Sequence, residues 1–291
     1  MVGKLYRIDT ESSRKYGLNT GDRVISLTKW GGNARYLALK PDHLVKVPEF
    51  IDPAEAACLP ETYLTAFQVL HVGQRHALRY RANSLKGKSF LLIGTVSTNM
   101  GRAISQLAAV GGGESVYATT THKNYDKLAH MGILPLSHDP LDWHERLRGR
   151  IDVAVSFDAD ISPLHYKLLS EQGEIVVVTR REVDIITTEN STVKGSSVAS
   201  KLVCRRTAAH LQSRTHTYDV YAEWEDNLEL CKNDLQHLVN LLEEGKVEPH
   251  ILERIPLTKV ARAQELMGVK RIPGFIVCEP WLVTKSRAVC L

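Results

Sequence analysis

The sequence has no long apolar run, few cysteines and little net charge, and each absence excludes a class of protein. No stretch approaches the roughly 18 consecutive apolar residues of a membrane-spanning helix. The first residues, MVGKLYRIDTESSRK, lack the apolar core of a signal peptide. The five cysteines are scattered and form no CxxC pair, and there is no HExxH string. We therefore expect a cytoplasmic protein with reduced thiols, no membrane partner and no metal.

The formal net charge of +4 is too small to require a nucleic-acid partner. Basic residues are denser between Arg180 and His216, where serines and threonines separate them. A solvated loop is the favoured interpretation of this segment, and an anion- or nucleic-acid-binding surface is the alternative.

The first seventy residues predict short strands followed by helices. Strands are expected in GDRVISL, NARYLAL and HLVKVP. Asp52 is placed as an N-cap and Pro53 as the first residue of a helix, and a second helix follows in ETYLTAFQVLH. The polar segment from Arg75 to Lys88 is expected to be a linker.

From Ser89 to Thr179 the pattern changes to alternating strands and helices. Five apolar runs are typical of strands buried on both faces of a parallel sheet: SFLLI, SVYATT, Ile133 to Leu136, IDVAVSF and EIVVVT. They predict an α/β fold with a Rossmann-type doubly wound parallel sheet, whose ligand crevice lies at the carboxyl ends of the strands. A helix from about Asn227 to Glu244, a strand in HILERI, a helix from Thr258 to Met267 and a strand in GFIVCEPW close the chain.

Several strings together resemble the medium-chain dehydrogenase/reductase superfamily, in its zinc-independent, quinone-oxidoreductase-like and enoyl-reductase-like branch. They are GDRVISLTKWGGNARYLAL, DPAEAACLPETYLTAFQVLH, in which TYLTAF is the most specific piece, and DLQHLVNLLEEGKVEPHILERIPLTKVARAQELM with GFIVCEPW. The resemblance implies a partial GroES-like β-rich domain from residues 1–62 and 250–291, and a Rossmann nucleotide-binding domain from 63–249. The family has a substantial segment before the GDRV string, where this sequence has about twenty residues, so the resemblance implies a shortened N-terminus: either the sequence begins late or part of the catalytic domain has been lost.

The phosphate-binding turn departs from the family pattern. Tight dinucleotide turns use glycine where the backbone has positive φ or approaches the pyrophosphate. Thr95, Thr98 and Asn99 stand where the branch has glycine, and Gly101 keeps it. A left-handed conformation at such a residue costs about 1–2 kcal/mol, or about tenfold in affinity. We therefore expect weakened rather than abolished nucleotide binding.

The second strand is followed by Thr120, Thr121 and Lys123 with no carboxylate nearby, a pattern that suits a 2′-phosphate and so favours NADPH over NADH; an ordinary polar loop is the alternative. His138 falls where the branch often has a tyrosine near the adenine, and Val178 and Thr179 fall near the nicotinamide. The resemblance implies cofactor contacts at Thr65, Thr98, Asn99, Met100, Gly101, Thr120, Thr121, Lys123, His138, Val178 and Thr179.

The implied chemistry is hydride transfer from NADPH to a quinone or enone-type small molecule without metal. Thr65 matches the threonine that positions the nicotinamide, and a plain helix-face threonine is the alternative. Tyr63 and Tyr36 are weaker candidates for a substrate cleft, since buried structural tyrosines are commoner. A homodimer is the expected assembly, and no nucleic acid is expected. The other hypothesis is a catalytically inactive family member that acts as a binding or oligomerisation module.

Overall fold

The computed structural model describes residues 1–94, 98–157, 161–179, 213–269 and 273–282. The chain divides into two compact units. Unit 1 comprises Met1–Thr65, Ser97–Asn99 and Trp224–Leu291, and unit 2 comprises Ala66–Val96 and Met100–Glu223.

The described residues form the following strands and helices. The strands are β1 Val2–Lys4, β2 Arg23–Ile25, β3 Val45–Lys46, β4 Ser89–Ile93, β5 Ser115–Thr119, β6 Leu134–Leu136, β7 Ile151–Ser156, β8 Leu169–Val178, β9 Thr215–Tyr218, β10 Ile251–Ile255 and β11 Phe275–Cys278. The α-helices are α1 Thr10–Tyr16, α2 Pro53–Ala57, α3 Leu64–Leu70, α4 His76–Arg79, α5 Thr98–Val110, α6 Tyr125–Ala129, α7 His144–Leu147, α8 Pro163–Leu168, α9 Val220–Asp226, α10 Leu228–Glu243 and α11 Val260–Val269. None of these helices has the length and apolar character to span a bilayer.

Unit 2 is built on a parallel sheet with the strand order β6-β5-β4-β7-β8-β9. Counted from its first strand in chain order, this sheet runs 3-2-1-4-5-6, the order of a Rossmann dinucleotide-binding sheet. All five neighbouring pairs are parallel. The predicted doubly wound parallel sheet is confirmed.

The sheet has one more strand than the five predicted. The additional strand is β9, which pairs with the second half of β8. Its sequence, THTY, is too short and polar to show a period-2 pattern, and pairing with β8 decides its conformation. Arg214 fixes the entrance to β9 by donating to the carbonyls of Gly173 at 2.7 Å and Ser170 at 2.5 Å. Residues 213–216 therefore correct the solvated-loop interpretation, and residues 180–212 of that segment lie outside the described residues.

Both faces of this sheet are buried, which explains why its strands read as unbroken apolar runs. On one face Leu91, Ala154 and Ile175 pack with Trp143 and Leu147 from the α7 region in a single core cluster. On the other face Phe90, Leu92, Val153 and Val155 are at most 2% exposed. The segment predicted as a linker, from Arg75 to Lys88, contains the short helix α4 and a series of turns.

Unit 1 contains an antiparallel sheet, β1-β2-β3, and a parallel pair, β10-β11. The prediction of a strand in NARYLAL is wrong: residues 33–39 form no strand. A strand needs a neighbour for its backbone hydrogen bonds, and within the described ranges residues 33–39 make none to other backbone groups. Alternation alone could not reveal that lack of a neighbour.

An exposed aromatic row accompanies this irregular segment of unit 1. The Tyr36 ring makes edge contacts with Tyr6 at 5.8 Å and with Trp281 at 5.6 Å between centroids. The Arg35 guanidinium lies over Trp281, 4.9 Å from the ring centroid. Tyr36, a candidate cleft residue, is 67% exposed within this row.

The start of α2 confirms the predicted cap and adds an ion-pair network. Asp52 Oδ1 accepts from the Ala54 amide at 2.8 Å, and the same carboxylate binds the Arg254 guanidinium of β10. Arg254 also donates to Glu279 at 2.9 Å. The Arg254 hydrogen bonds lower the pKa of Asp52. One side chain thus caps a helix and ties it to the C-terminal strand pair.

Helix α10 begins and ends close to the predicted positions and belongs to unit 1. It packs on the π-helical turn Leu59–Tyr63 and on β3. Helix α9 reaches unit 1 at Trp224, whose Nε1 donates to His43 Nδ1 at 3.2 Å. The compact units therefore differ from the predicted domains, which assign residues 63–249 to the nucleotide-binding part, and those domain boundaries stay a prediction.

Replacing Asp52 should separate the cap from the ion pair. Asp52→Ala loses both and is expected to lower the free energy of unfolding by about 1–2 kcal/mol. Asp52→Asn keeps an oxygen acceptor for Ala54 and should lose less than half as much. Urea denaturation followed by circular dichroism measures both variants. Equal losses would show that the cap contributes nothing.

The N-terminus of α8 should make stability depend on pH. The Ser162 amide donates to His165 Nδ1 at 3.1 Å, so this nitrogen must be unprotonated. Burial, and secondarily His144, lower the pKa of His165. Its contribution is complete above the unfolded-state pKa of about 6.5 and is lost as the pH falls through the lower folded-state pKa.

We expect the Tm to fall between about pH 7 and pH 5, and to fall less in His165→Asn, whose side-chain oxygen accepts the same bond without titrating. The exposed His138 offers a matched control in His138→Asn. Parallel pH profiles for wild type and His165→Asn would contradict the assignment.

Candidate nucleotide-binding site

The strand order of unit 2 creates a crevice at one edge of the sheet. From β4 the chain first builds β5 and β6 on one side, and then crosses to β7, β8 and β9 on the other. The connections leave β4 and β7 in opposite directions, so the space beyond their carboxyl ends stays open for a ligand. Residues that follow β4, β5, β6, β7 and β8 share this edge because the strands are parallel.

The turn after β4 keeps its glycine where the backbone requires one. Gly94 has φ +85°, in the left-handed region. Thr98 and Asn99 lie in the first turn of α5. Among the described residues, Asn83 alone has positive φ without being glycine. The expected left-handed cost at Thr98 and Asn99 is therefore wrong, because both residues are helical; Thr95 lies outside the described residues.

Two residues near the start of helix α5 are buried. Met100 and Gly101 are both buried, and they continue into the buried side formed by Ala103, Ile104 and Leu107. Because Gly101 has no side chain, the helix start can lie close to its neighbours. Backbone amides at the start of this 13-residue helix provide the positive end of its dipole.

Polar groups after β5 form a small hydroxyl cluster. Asn124 Nδ2 donates to Thr120 Oγ1 at 3.1 Å and to Thr121 Oγ1 at 3.3 Å. Both hydroxyls act as acceptors in these bonds, so each keeps its own proton to donate. Lys123 is exposed in the 3-10 turn His122–Asn124. Thr120, Thr121 and Lys123 thus lie in one short segment after β5, and Asn124 joins the two threonines.

The predicted cofactor contacts after β6 and β8 differ in whether their side chains are exposed and whether their hydrogen-bond donors are already used. His138 follows β6 and is exposed. Val178 ends β8 and is partly buried. The Thr179 hydroxyl donates to the Tyr218 carbonyl at 3.1 Å, and the Thr179 amide donates to the same oxygen at 2.8 Å. Thr179 therefore uses its donors to join β8 to β9.

Thr65 and Tyr63 belong to unit 1. Thr65 is the second residue of α3 and is 4% exposed. Tyr63 ends the π-helical turn before α3 and is fully buried. The π-helical turn contains Pro60, whose ring disturbs regular helical hydrogen bonding.

Ser156 is a polar residue at the crevice that the sequence reasoning missed. It is the last residue of β7 and is 0% exposed, and its Oγ has no hydrogen-bond partner within the described parts of the chain. The available signal was a single hydroxyl at the end of the apolar run IDVAVSF, where a strand reaches the crevice.

Metal-ligating and nucleophilic groups do not form a second site within the described ranges. Across those ranges, no group of three or more His, Cys, Asp or Glu side chains is placed to hold a metal ion. Cys58 and Cys231 are buried and form no disulfide within the described residues. Burial raises the pKa of the Cys58 thiol to about 12, which keeps it protonated and unreactive.

This chain is similar to several known oxidoreductases and their relatives. Residues 135–277 match a family model described as zinc-binding dehydrogenase. The quinone oxidoreductase of Pongo abelii is 28% identical over 254 residues, which cover 84% of this chain and 68% of that protein. The reducing polyketide synthase pksF of Alternaria solani is 32% identical over 114 residues, or 39% of this chain and 5% of the synthase. The VAT-1 homolog of Danio rerio is 21% identical, over 88% of this chain and 52% of that protein.

These matches support the predicted resemblance to the medium-chain dehydrogenase/reductase superfamily and to its quinone-oxidoreductase-like branch. Solved structures of this superfamily share its fold. The JamJ enoyl reductase aligns with a TM-score of 0.68 at 17% identity, over 95% of this chain and 77% of that one. A mycobacterial protein solved in complex with NADPH aligns with a TM-score of 0.67 at 16% identity, over 96% and 81%. The predicted fold class, a Rossmann-type sheet with a GroES-like part, is confirmed.

Replacing Gly94 by alanine should both strain the turn after β4 and weaken nucleotide binding. Gly94→Ala forces a Cβ into the left-handed region, at a cost of about 1–2 kcal/mol. Gly149 is a matched control, since it has φ +67° in the turn before β7 and open space around it. Both variants should lower the Tm similarly, whereas only Gly94→Ala should reduce binding of a nicotinamide nucleotide in a fluorescence titration. Equal affinities would remove Gly94 from the site.

Proposed function

We propose that this chain is an NADPH-dependent oxidoreductase that reduces a quinone or an enone-type small molecule without zinc. The observation that carries the proposal is the 3-2-1-4-5-6 parallel sheet whose first turn keeps a left-handed glycine, Gly94, shortly before helix α5. That combination of switch point, turn and helix start is the arrangement by which an α/β sheet binds a dinucleotide.

The residues present fit a dinucleotide. Gly94 supplies the tight turn, buried Gly101 the close packing of the helix, and the start of α5 the amides and positive dipole end for a pyrophosphate. Thr98 and Asn99 occupy ordinary helical positions, so their substitution leaves the backbone of the helix start unstrained. The cofactor contacts proposed for this edge are Thr98, Asn99, Met100, Gly101, Thr120, Thr121, Lys123, His138 and Val178, whereas the donors of Thr179 are engaged with the Tyr218 carbonyl.

The groups after β5 support NADPH rather than NADH. The Thr120 and Thr121 hydroxyls are held as acceptors by Asn124 and keep their protons, and Lys123 adds a cation. The sequence from Thr119 to Tyr125 contains no Asp or Glu to bind a ribose diol. Donors and a cation match a 2′-phosphate, whereas an NAD site would present a carboxylate there.

A bound nicotinamide nucleotide supplies a hydride for an electrophilic carbon. In this proposal the chain orients the nucleotide and excludes water, with Thr65 positioning the nicotinamide, and no side chain is assigned as proton donor. The quinone oxidoreductase relative and the enoyl reductase structures support the substrate class. A homodimer and a cytoplasmic location stay predictions from the sequence.

Nucleotide binding and turnover test the proposal directly. A ligand at a hundredfold excess over its Kd should stabilise the fold by about 2.7 kcal/mol, so NADPH should raise the Tm clearly. NADPH oxidation should then be followed by its nicotinamide absorbance, with a small ortho-quinone and with an α,β-unsaturated ketone as acceptors. Binding without turnover would favour the alternative, a catalytically inactive member that acts as a binding or oligomerisation module. No Tm change at millimolar NADPH or NADH would overturn the cofactor assignment.

The preference for NADPH should depend on Lys123. Lys123→Ala removes the cation next to the two threonine hydroxyls, and we expect about a five- to tenfold loss of NADPH affinity with little change for NADH. Lys86 is a matched control, because it is exposed in the turn before β4, at the opposite edge of the sheet. Isothermal titration measures both affinities for each variant. Equal losses for both nucleotides would contradict a 2′-phosphate contact.

A further inference from the structure

Ser156 lies at the centre of the crevice edge. In the sheet register it pairs with Ile93, the last residue of β4, and with Val177 of β8. The Phe157 amide donates to the Ile93 carbonyl at 3.1 Å, which holds the ends of β4 and β7 together just beyond Ser156. This side chain therefore stands on the strand that borders the switch point, away from the sheet's outer edges.

The hydroxyl of Ser156 is buried without compensation inside the described part of the chain. Ser156 is 0% exposed and its Oγ makes no hydrogen bond there. Its neighbours on β7, Val153, Ala154 and Val155, are apolar and at most 2% exposed. A buried hydroxyl without a partner costs free energy that alanine at the same position would avoid.

The other polar side chain of β7 shows the contrast. Asp152, near the start of the strand, accepts from the Ser89 amide and from the Ser170 hydroxyl, both at 2.8 Å. This polar group at the amino-terminal edge of the sheet is thus paired within the protein. The unpaired group is at the carboxyl edge, where an α/β sheet receives its ligand.

We infer that Ser156 is a nucleotide-binding residue whose hydroxyl donates to an acceptor oxygen on the nicotinamide half of the bound dinucleotide. The half is assigned by topology. The groups proposed for the 2′-phosphate follow β5, on one side of the switch point, whereas Ser156 ends β7 on the other side. This inference rests on the proposed function and adds a contact for the half of the cofactor that carries the hydride.

The substitution Ser156→Ala tests the inference with two readouts. Without nucleotide the Tm should be unchanged or higher, because an unpaired buried hydroxyl is removed. NADPH affinity should fall about five- to tenfold. The affinity for adenosine 2′,5′-bisphosphate, which contains only the adenine half, should stay within about twofold of wild type.

Ser170→Ala is the matched control at the opposite edge of the sheet. It removes the donor to Asp152 Oδ1 and should lower the Tm while leaving both nucleotide affinities unchanged. Ser156→Ala should therefore change nucleotide affinity without loss of stability, and Ser170→Ala should change stability without loss of affinity.

The outcomes distinguish this inference from the proposed function. If wild type binds NADPH and Ser156→Ala binds it equally well, the inference is overturned and the proposed function stands. The inference is also overturned if Ser156→Ala weakens adenosine 2′,5′-bisphosphate as much as NADPH, because the contact then does not belong to the nicotinamide half. If wild type binds neither nucleotide, both the inference and the proposed function are overturned.

Discussion

The parallel pairing of β4 with β7 is the constraint on which the proposed site depends. Leu91 and Ile93 of β4 lie in register with Ala154 and Ser156 of β7, and both strands are buried on both faces. These contacts set the two strands side by side although β5 and β6 intervene in the chain. Because the connections then leave in opposite directions, this topology places the proposed crevice at this edge. Fold and site are therefore the same physical arrangement.

The hydroxyl groups along that edge differ in how many hydrogen bonds they already make within the protein. Thr179 uses its donors on the Tyr218 carbonyl and joins two strands. Thr120 and Thr121 accept from Asn124 and keep their protons. Ser156 has no partner within the described residues. Hydrogen-bond capacity thus separates residues that build the sheet from residues available to a ligand, a distinction that a residue type cannot make.

Unit 1 shows where local patterns succeed and where they fail. The cap at Asp52 could be predicted, because an N-cap followed by proline is a local signal and its bond to Ala54 spans two residues. Its bond to Arg254 spans 202 residues and follows only from the fold. The alternation in NARYLAL predicted a strand that did not form, because a strand depends on a neighbour rather than on its own sequence. The aromatic row formed by Tyr6, Tyr36 and Trp281 could not be predicted either, because its members are far apart in the sequence.

By itself, the sequence determined the resemblance to a family, the position of helix α10, and five of the six strands of the parallel sheet. Those features can be predicted from local periodicity and from strings such as TYLTAF, because both are properties of the sequence alone. Only the tertiary structure decided that Thr98 and Asn99 are helical while Gly94 carries the positive φ. It also decided that THTY is a strand and that Ser156 is buried without a partner among the described residues. Backbone conformation, strand pairing and hydrogen-bond satisfaction arise from neighbours distant in the chain, and the sequence of a segment does not contain its neighbours.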